Sequence, residues 1–470
     1  MEYSGPVVRI NPFEIHVQDP EFYRVLYTGS SSRRDKWPWA ARMFGNNTSV
    51  FSTISHAHHR VRRAALNPIF SKTAIFELQD DINVFIGHLC NRLDGFAVAK
   101  KPVNAGLAFA CLAGDVISKY CFGEPFRLLD DPEFAPDWVN TISAPSELSH
   151  LIKQFPWLVP LLAKLPLWLV YWISPAFGCL YTIQQVTSPE SGCFEYNLLN
   201  VLQWMNLNVQ EIIDKRIGSE NKNNSQGAEG KLDVKTSSCV FDMLLQSRLP
   251  VCEKTVERLK GEGQTLIGAG TLTMVNVLKT VVFHTVANPL RLYDLLKELD
   301  EAFPDQSAAL SLRKLEKLPI LTSYITEGLR LAYGVTHRLQ LLADEPLSLH
   351  GWHIPPRTPV SMTSIFMHDN VKIFPEPRQF CPERWLDNPE SRTELLKHFV
   401  PFGKGTRMCL GMHLAWAELY LVLGTLFRRY NISLYETTVE DVEMAHDFFD
   451  PVPKLDSKGL RIIISTRHRK

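Results

Sequence analysis

Phe402-Gly403-Lys404-Gly405-Thr406-Arg407-Met408-Cys409-Leu410-Gly411 is the stretch on which the reading of this chain turns. Gly403 and Gly405 permit backbone angles that a side chain forbids, so the segment can turn tightly beneath a flat ligand. Cys409 stands just before a helical pattern, Met412-His413-Leu414-Ala415-Trp416-Ala417-Glu418-Leu419. The positive end of such a helix and its unpaired N–H groups stabilise a thiolate. Phe402 can shield the sulfur from water, and Arg407 can meet an anionic group at the ligand's edge. A lone cysteine at a loop–helix junction is ordinarily a buried, inert side chain. The whole spaced set around Cys409 points instead to a ligating thiolate.

Composition narrows the rest. A chain of 470 residues holds one large domain or two ordinary ones, and 45% apolar residues can bury a sizeable core. Fifty basic and fifty acidic residues cancel, which argues against nucleic-acid binding through bulk charge. Nine cysteines lack the spacings of a disulfide scaffold, a covalently attached haem or a structural zinc, so they read as mainly reduced and buried. The N-terminus is polar from Met1 onward, with neither a signal peptide nor a spanning run in the sequence. The most apolar stretch, Phe155 to Leu180, carries Pro156, Pro160, Pro166 and Pro175. Those prolines predict short helices, either packed in the core or lying on a membrane face.

Strand and turn signals occupy the first fifty residues, with Val7-Val8-Arg9-Ile10 alternating before Pro12. Helical periodicity runs from about Ala57 to Thr285, interrupted by a polar loop at 218–238 that composition marks as flexible. That loop contains an N-x-S match at Asn223. A long apolar helix is expected from Glu253 to about Thr285 and another from about Pro319 to Tyr333. Short strands follow at 346–350, 352–354 and 359–362, and a last helix at about Gly411 to Tyr430. The expected architecture is mainly α with minor β in a single domain.

Three further constellations matter. Glu327 and Arg330, three apart, share a helix face and can pair. The long helix carries Gly268-Ala269-Gly270-Thr271-Leu272-Thr273, and two glycines inside a helix cost roughly 1 kcal/mol each, so they need a reason. Close approach of a ligand and helix packing through small residues are both available reasons. Thr273 can also bond the Ala269 carbonyl and bend the helix. Finally, Ser55-His56-Ala57-His58-His59-Arg60-Val61-Arg62-Arg63 is strongly basic, with His59 and Arg63 on one helical face.

The cysteine loop resembles the haem-binding signature of the cytochrome P450 family, F-x-x-G-x-R-x-C-x-G, and the resemblance extends over nearly the whole chain. It implies haem b, with Cys409 as thiolate ligand to the iron and Phe402, Arg407 and Gly411 shaping its seat. Glu327 and Arg330 match the family's E-x-x-R, and Cys381-Pro382-Glu383-Arg384-Trp385 resembles its P-E-R-F segment, with Trp385 in place of Phe. The resemblance therefore implies a buried network of Glu327, Arg330 and Arg384 that locks the cysteine loop. It likewise implies that Gly270 makes room for dioxygen, beside Ala269, and that Thr273 helps deliver protons. Here the chain departs from the pattern, because Leu272 replaces the usual acid and cannot relay protons. His59, Arg63 and Arg338 are the implied partners of the haem propionates. Arg60 and Arg62 would then face outward, as a solvated basic face or as a docking patch for an acidic electron donor.

The likeness is strongest to fungal microsomal members of trichodiene-oxygenase style, partly through Arg33-Arg34-Asp35-Lys36-Trp37. It implies a monooxygenase of secondary metabolism acting on an apolar terpenoid or polyketide, with a pocket around Ala269, Thr273 and Val335 to His337. The sequence shows no flavin or dinucleotide module, so the electrons are expected from an NADPH-cytochrome P450 reductase. Such members sit at the cytosolic face of the endoplasmic reticulum; this chain shows no anchor and is expected to be peripheral or cytoplasmic. The rival expectations are a same-fold isomerase, dehydratase or peroxide-driven enzyme, supported by Leu272, and an inactive truncated haem-binding product.

Overall fold

A computed structural model describes residues 5–29, 32–162, 164–185, 239–305 and 309–467. The polar loop at 218–238 and Asn223 lie outside the described residues. The chain is mainly helical with small sheets, and it divides into two compact units.

The first unit comprises Met1–Ala40, Phe70–Ala113 and Thr271–Lys470. Its five-stranded sheet takes Val7–Arg9, Ile15–Val17, Pro359–Ser361, Leu341–Ala343 and Arg34–Lys36 in that order. All neighbours are antiparallel except Ile15–Val17 beside Pro359–Ser361, which is parallel. Val17, Phe22, Leu26, Leu341, Val360 and Met367 form an apolar cluster against it. The segment Arg34–Lys36 is a fully buried strand. Arg34 donates to the Leu26 carbonyl and lies 2.6 Å from Glu345, so it ties the sheet together.

Helices Pro319–Leu331 and Met412–Arg429 also belong to this unit. Proline at the first helical position of Pro319–Leu331 removes an N–H that would have no partner in the helix. A three-stranded sheet of Val103–Asn104, Arg461–Thr466 and Tyr430–Leu434 follows directly from the last helix. A hairpin, His446–Phe448 with Asp450–Val452, completes the C-terminal region.

The second unit comprises Ala41–Ile69 and Gly114–Gly270. Its helix His56–Leu66 begins at Ser55, whose side chain accepts the His58 N–H as an N-cap. Pro156, Pro166 and Pro175 stand before or at the starts of the short helices Leu158–Leu162, Leu167–Ile173 and Pro175–Gln185, as expected, whereas Pro160 lies within the first of them. The long helix is Val256–Val286, of which the residues up to Gly270 belong to this unit and the rest to the first; it is preceded by a 3-10 turn at Val251–Glu253 rather than starting at Glu253. Two helices, Ala105–Phe122 and Val256–Val286, are long and apolar enough to cross a membrane; their most apolar windows are 83% and 61% buried in the protein. Burial on that scale is how a core helix satisfies an all-round apolar surface.

Candidate active site

The cysteine loop is shaped by its glycines. Gly403 and Gly405 adopt φ of +65° and +76°, in the left-handed region. A Cβ on Gly405 would stand 2.2 Å from the Thr28 carbonyl oxygen, so only glycine fits there. The neighbouring Thr406 N–H donates to that same carbonyl. The Cys409 N–H donates to the Phe402 carbonyl at 2.8 Å and closes the turn. Cys409 is exposed, whereas its neighbours from Pro401 to Met408 are half-buried. Gly411 caps the helix Met412–Arg429, so Cys409 lies two residues before that helix's cap and first turn. The Phe402 ring packs 6.4 Å from Trp416 on that helix. Burial holds the Arg407 guanidinium down to about 10, with the Asp35 charge acting the other way. Arg407 stays a cation near neutral pH, and an anionic group brought against it would favour that charged form further.

Behind the loop lies a saturated charge network. Glu327 and Arg330 are fully buried on the helix Pro319–Leu331. Glu327 accepts from Arg330 Nε and Nη2 at 2.9 and 2.8 Å, from the Cys381 N–H at 2.9 Å and from Arg384 Nε at 3.3 Å. A fifth donor was not foreseen: Trp385 Nε1 reaches Glu327 at 2.8 Å. The tryptophan that departs from the family pattern thus supplies a hydrogen bond that phenylalanine lacks. Arg330 also donates to the carbonyls of His368 and Gln379.

His368 carries this network to the loop, and the sequence reading missed it. It is fully buried between two backbone groups. Its Nδ1–H donates to the Arg330 carbonyl at 2.9 Å, and its Nε2 accepts the Val400 N–H at 3.0 Å. Burial, helped by the Arg330 charge, lowers its pKa to about 3 and keeps it neutral. Gly334, at φ +66°, packs against Pro401, whose carbonyl oxygen would lie 2.2 Å from an added Cβ.

The other expected site residues fall in two groups. In the first unit, Thr273 and Leu272 are half-buried on the long helix, and Arg338 lies 3.7 Å from Glu14. In the second, Ala269 is exposed, while an added Cβ on Gly270 would stand 3.0 Å from Ile117. Gly270 therefore serves close packing of two helices, and the turn is open beside Gly268, where nothing lies within 4 Å. His59 is buried on the helix His56–Leu66, and Arg63 donates to Asn67 at 2.7 Å.

Arg62 corrects an expectation. It does not face outward with Arg60 but is buried, with Nε 2.7 Å from Glu253 and Nη1 2.8 Å from Thr53. Glu253 also accepts from His58 at 2.6 Å and Arg258 at 3.3 Å. Burial would raise the Glu253 pKa, but hydrogen bonds from Arg62 and His58 and their charges hold it at about 2. The basic segment is thus partly an internal clamp, with Arg60 left exposed.

The profile of the cytochrome P450 family matches residues 5–169 and 183–456. The chain belongs to the cytochrome P450 family. It is 59% identical over 98% of its length to a tryptophan 6-hydroxylase of Fusarium equiseti, covering 85% of that protein. It is 50% identical to an N-acetyltryptophan 6-hydroxylase of Emericella nidulans, with the same two coverages. A fusicoccadiene C-8 hydroxylase of Phomopsis amygdali is 35% identical over 98% of the chain and 84% of that protein. This P450 is a monooxygenase, and the family's cofactor is a haem held by a cysteine thiolate. The residues present fit that group. The thiol of Cys409 is accessible, Gly405 leaves the loop backbone close-packed, and Arg407 is a desolvated cation suited to a carboxylate. Among the described residues no disulfide forms, and Cys90, Cys111, Cys121 and Cys239 are buried thiols.

Proposed function

We propose that this P450 hydroxylates the aromatic ring of an indole amino acid, tryptophan or an N-acylated form of it, in fungal secondary metabolism. The observation that carries this reading is the 59% identity, over 98% of the chain, to a tryptophan 6-hydroxylase. The N-acetyltryptophan 6-hydroxylase at 50% supports the same substrate class. The terpenoid or polyketide expected from the sequence gives way to this reading. The Arg33–Trp37 segment on which it partly rested supplies a buried sheet strand.

The haem, when bound, supplies the activation of dioxygen and the transfer of one oxygen atom to carbon. Cys409 would hold the iron through Sγ, shielded by Phe402 and Trp416. Arg407 and Arg338 would pair with the haem carboxylates. Thr273 would hold a proton at its Oγ1 on the oxygen side. Leu272 offers no acid there, so water reaching Thr273 would complete the relay. Two electrons from NADPH, passed by a separate reductase, balance the reaction: one oxygen atom enters the ring and the other leaves as water. The exposed apolar helices between Leu158 and Ile173 would rest the protein on a membrane surface.

The test is reconstitution of the haem-loaded protein with reductase, NADPH and dioxygen, followed by mass spectrometry. A single added oxygen on the indole ring of tryptophan or N-acetyltryptophan is the expected product. Turnover of a terpenoid but of no indole would overturn the reading.

A further inference from the structure

Glu14 is fully buried in the first unit, at the turn that leads into the strand Ile15–Val17. Asn11 builds that turn. Its Oδ1 accepts the Phe13 and Glu14 N–H groups, both at 2.9 Å, and its Nδ2 donates to Glu14 Oε2 at 3.2 Å. Sheet register brings the other partners. His16 lies beside Ser361 in a parallel pairing, and Leu341 beside Val360 in an antiparallel one, so Gln340 continues the row beside Ser361. Glu14 Oε1 accepts from Gln340 Nε2 at 2.7 Å and from Ser361 Oγ at 3.3 Å, and Arg338 Nε stands 3.7 Å from it.

A fully buried carboxylate needs a positive partner as well as hydrogen bonds. Asn11, Gln340 and Ser361 are neutral donors. Burial, and after it the Arg338 charge, lowers His16 to about 4, so this ring is uncharged near neutral pH. It meets Ser361 Oγ through Nδ1 at 3.2 Å rather than Glu14. Among the described residues Arg338 is therefore the one cation in ion-pair contact with Glu14. Gln340 turns its donor to Glu14 and leaves its buried Oε1 without a hydrogen bond. A protein carries such a cost where another requirement prevails, and here that requirement is a fixed Glu14 carboxylate.

We propose that Glu14 is a positioning residue for the haem: it fixes the Arg338 side chain so that the terminal N–H groups meet a haem carboxylate. The assignment rests on the reading above that Arg338 pairs with such a carboxylate. A guanidinium is planar, with Nε at its base and a fork of two terminal nitrogens. Contact with Glu14 at Nε leaves that fork for a second carboxylate, and the Arg338 side chain is 31% exposed where Glu14 is 0%. Neither Nη1 nor Nη2 makes a hydrogen bond among the described residues. An arginine gives up rotamer freedom when it meets a ligand, and a partner that fixes it beforehand removes that cost. Asn11, Gln340 and Ser361 act one step further back, by holding Glu14.

The experiment follows, by absorbance, the transfer of haem from the haem-loaded protein to an excess of apomyoglobin. It compares Glu14→Gln, Arg338→Gln and the double variant with the wild type. Glu14→Gln should speed haem loss roughly tenfold when Arg338 is present, and by less than about twofold in the Arg338→Gln background. A role in the sheet alone would speed loss equally in both backgrounds and overturn the assignment. Glu14→Asp keeps the charge but withdraws it by one methylene, and it serves where glutamine is not tolerated. It should speed loss by a smaller factor, again only with Arg338 present, and wild-type rates in both Glu14 variants would overturn the assignment. Arg338→Gln by itself strands Glu14 as a buried charge, so the double variant separates the two readings. It should lose haem as fast as Arg338→Gln. If it holds haem like the wild type, Arg338 makes no haem contact, and that reading falls with the assignment. If it loses haem fast while Glu14→Gln alone does not, only the assignment falls.

Discussion

Arg330 grips Glu327 with two hydrogen bonds, Nε to Oε2 at 2.9 Å and Nη2 to Oε1 at 2.8 Å, and both side chains are fully buried. A buried carboxylate and guanidinium are tolerable only as a satisfied set, and removing one partner strands the other. Glu327→Gln should therefore cost about 3–5 kcal/mol and yield protein that loses haem, read by urea melts and haem content. Trp385→Phe is the finer probe, since it keeps the ring and deletes the donor to Glu327. It should cost about 1.5–3 kcal/mol with haem retained. An unchanged melt would show that the indole N–H contributes nothing.

His368 gives the network a pH dependence. Unfolded, its ring takes up a proton below about 6.5; folded, burial and the Arg330 charge delay that to about 3. The unfolded state thus binds more protons in this window, so stability falls as pH drops from about 6.5 towards 3. The slope from this one group is about 1.4 kcal/mol per pH unit. Buried His16 and half-buried His284, each lowered to about 4 by burial first, add to it above that pH. His368→Gln should flatten the acid limb by one histidine's share, measured as the urea midpoint against pH. A limb of unchanged slope would contradict a neutral His368.

Much of the site was legible because its signals are local. The Cys409 loop and the Glu327–Arg330 pair each lie within one short segment, where spacing fixes geometry. Arg62 was misjudged because helical spacing says which face a residue shares but not what packs there. Its partner Glu253 is 191 residues away in the chain. His368 stands in an irregular stretch, and its two partners are backbone groups that carry no sequence signal. The strands Tyr430–Leu434 and Arg461–Thr466 escaped notice because the first follows the last helix without a turn residue. The pairing of the hairpin at Asp447 with the segment at Thr336 was not legible, since the two meet only in three dimensions.

Cys409 carries the cofactor assignment. Reduced wild-type protein with carbon monoxide should show the strongly red-shifted Soret band of thiolate ligation. Cys409→Ser should lose that band while keeping its far-ultraviolet circular dichroism, because the loop is closed by the residue's backbone N–H and not by its sulfur. A retained band in the variant would move the ligand to another residue.

Thr273 should matter for chemistry rather than for folding. It is half-buried, whereas Thr271, two residues earlier, is fully buried. Thr273→Ala should lower product formed per NADPH consumed by as much as roughly 10²-fold, the range of a proton-transfer contribution, while leaving the melting temperature nearly unchanged. Thr273→Ser, which keeps the hydroxyl, should recover most of that loss. Because Leu272 provides no acid, Leu272→Asp is expected to raise coupling in the wild-type background. Equal coupling in all of these variants would remove Thr273 from the proton path.

The apolar surface between Phe155 and Ile173 invites a membrane test. Trp157, Trp168 and Trp172 are 58%, 71% and 80% exposed, an arrangement costly in water. The other side of this region is anchored, with Val159, Ala176 and Phe177 packed against Leu148, Ile152 and Leu180. The prolines thus set short helices with one face held by the protein and one presented outward. Tryptophan is favoured where an apolar surface meets lipid headgroups. Each large side chain removed from water is worth about 1.5–3 kcal/mol. Trp168→Ser with Trp172→Ser should therefore reduce partitioning onto phosphatidylcholine vesicles more than about tenfold, measured by flotation, without loss of the carbon monoxide band. Equal flotation of wild type and variant would assign these side chains to some other contact.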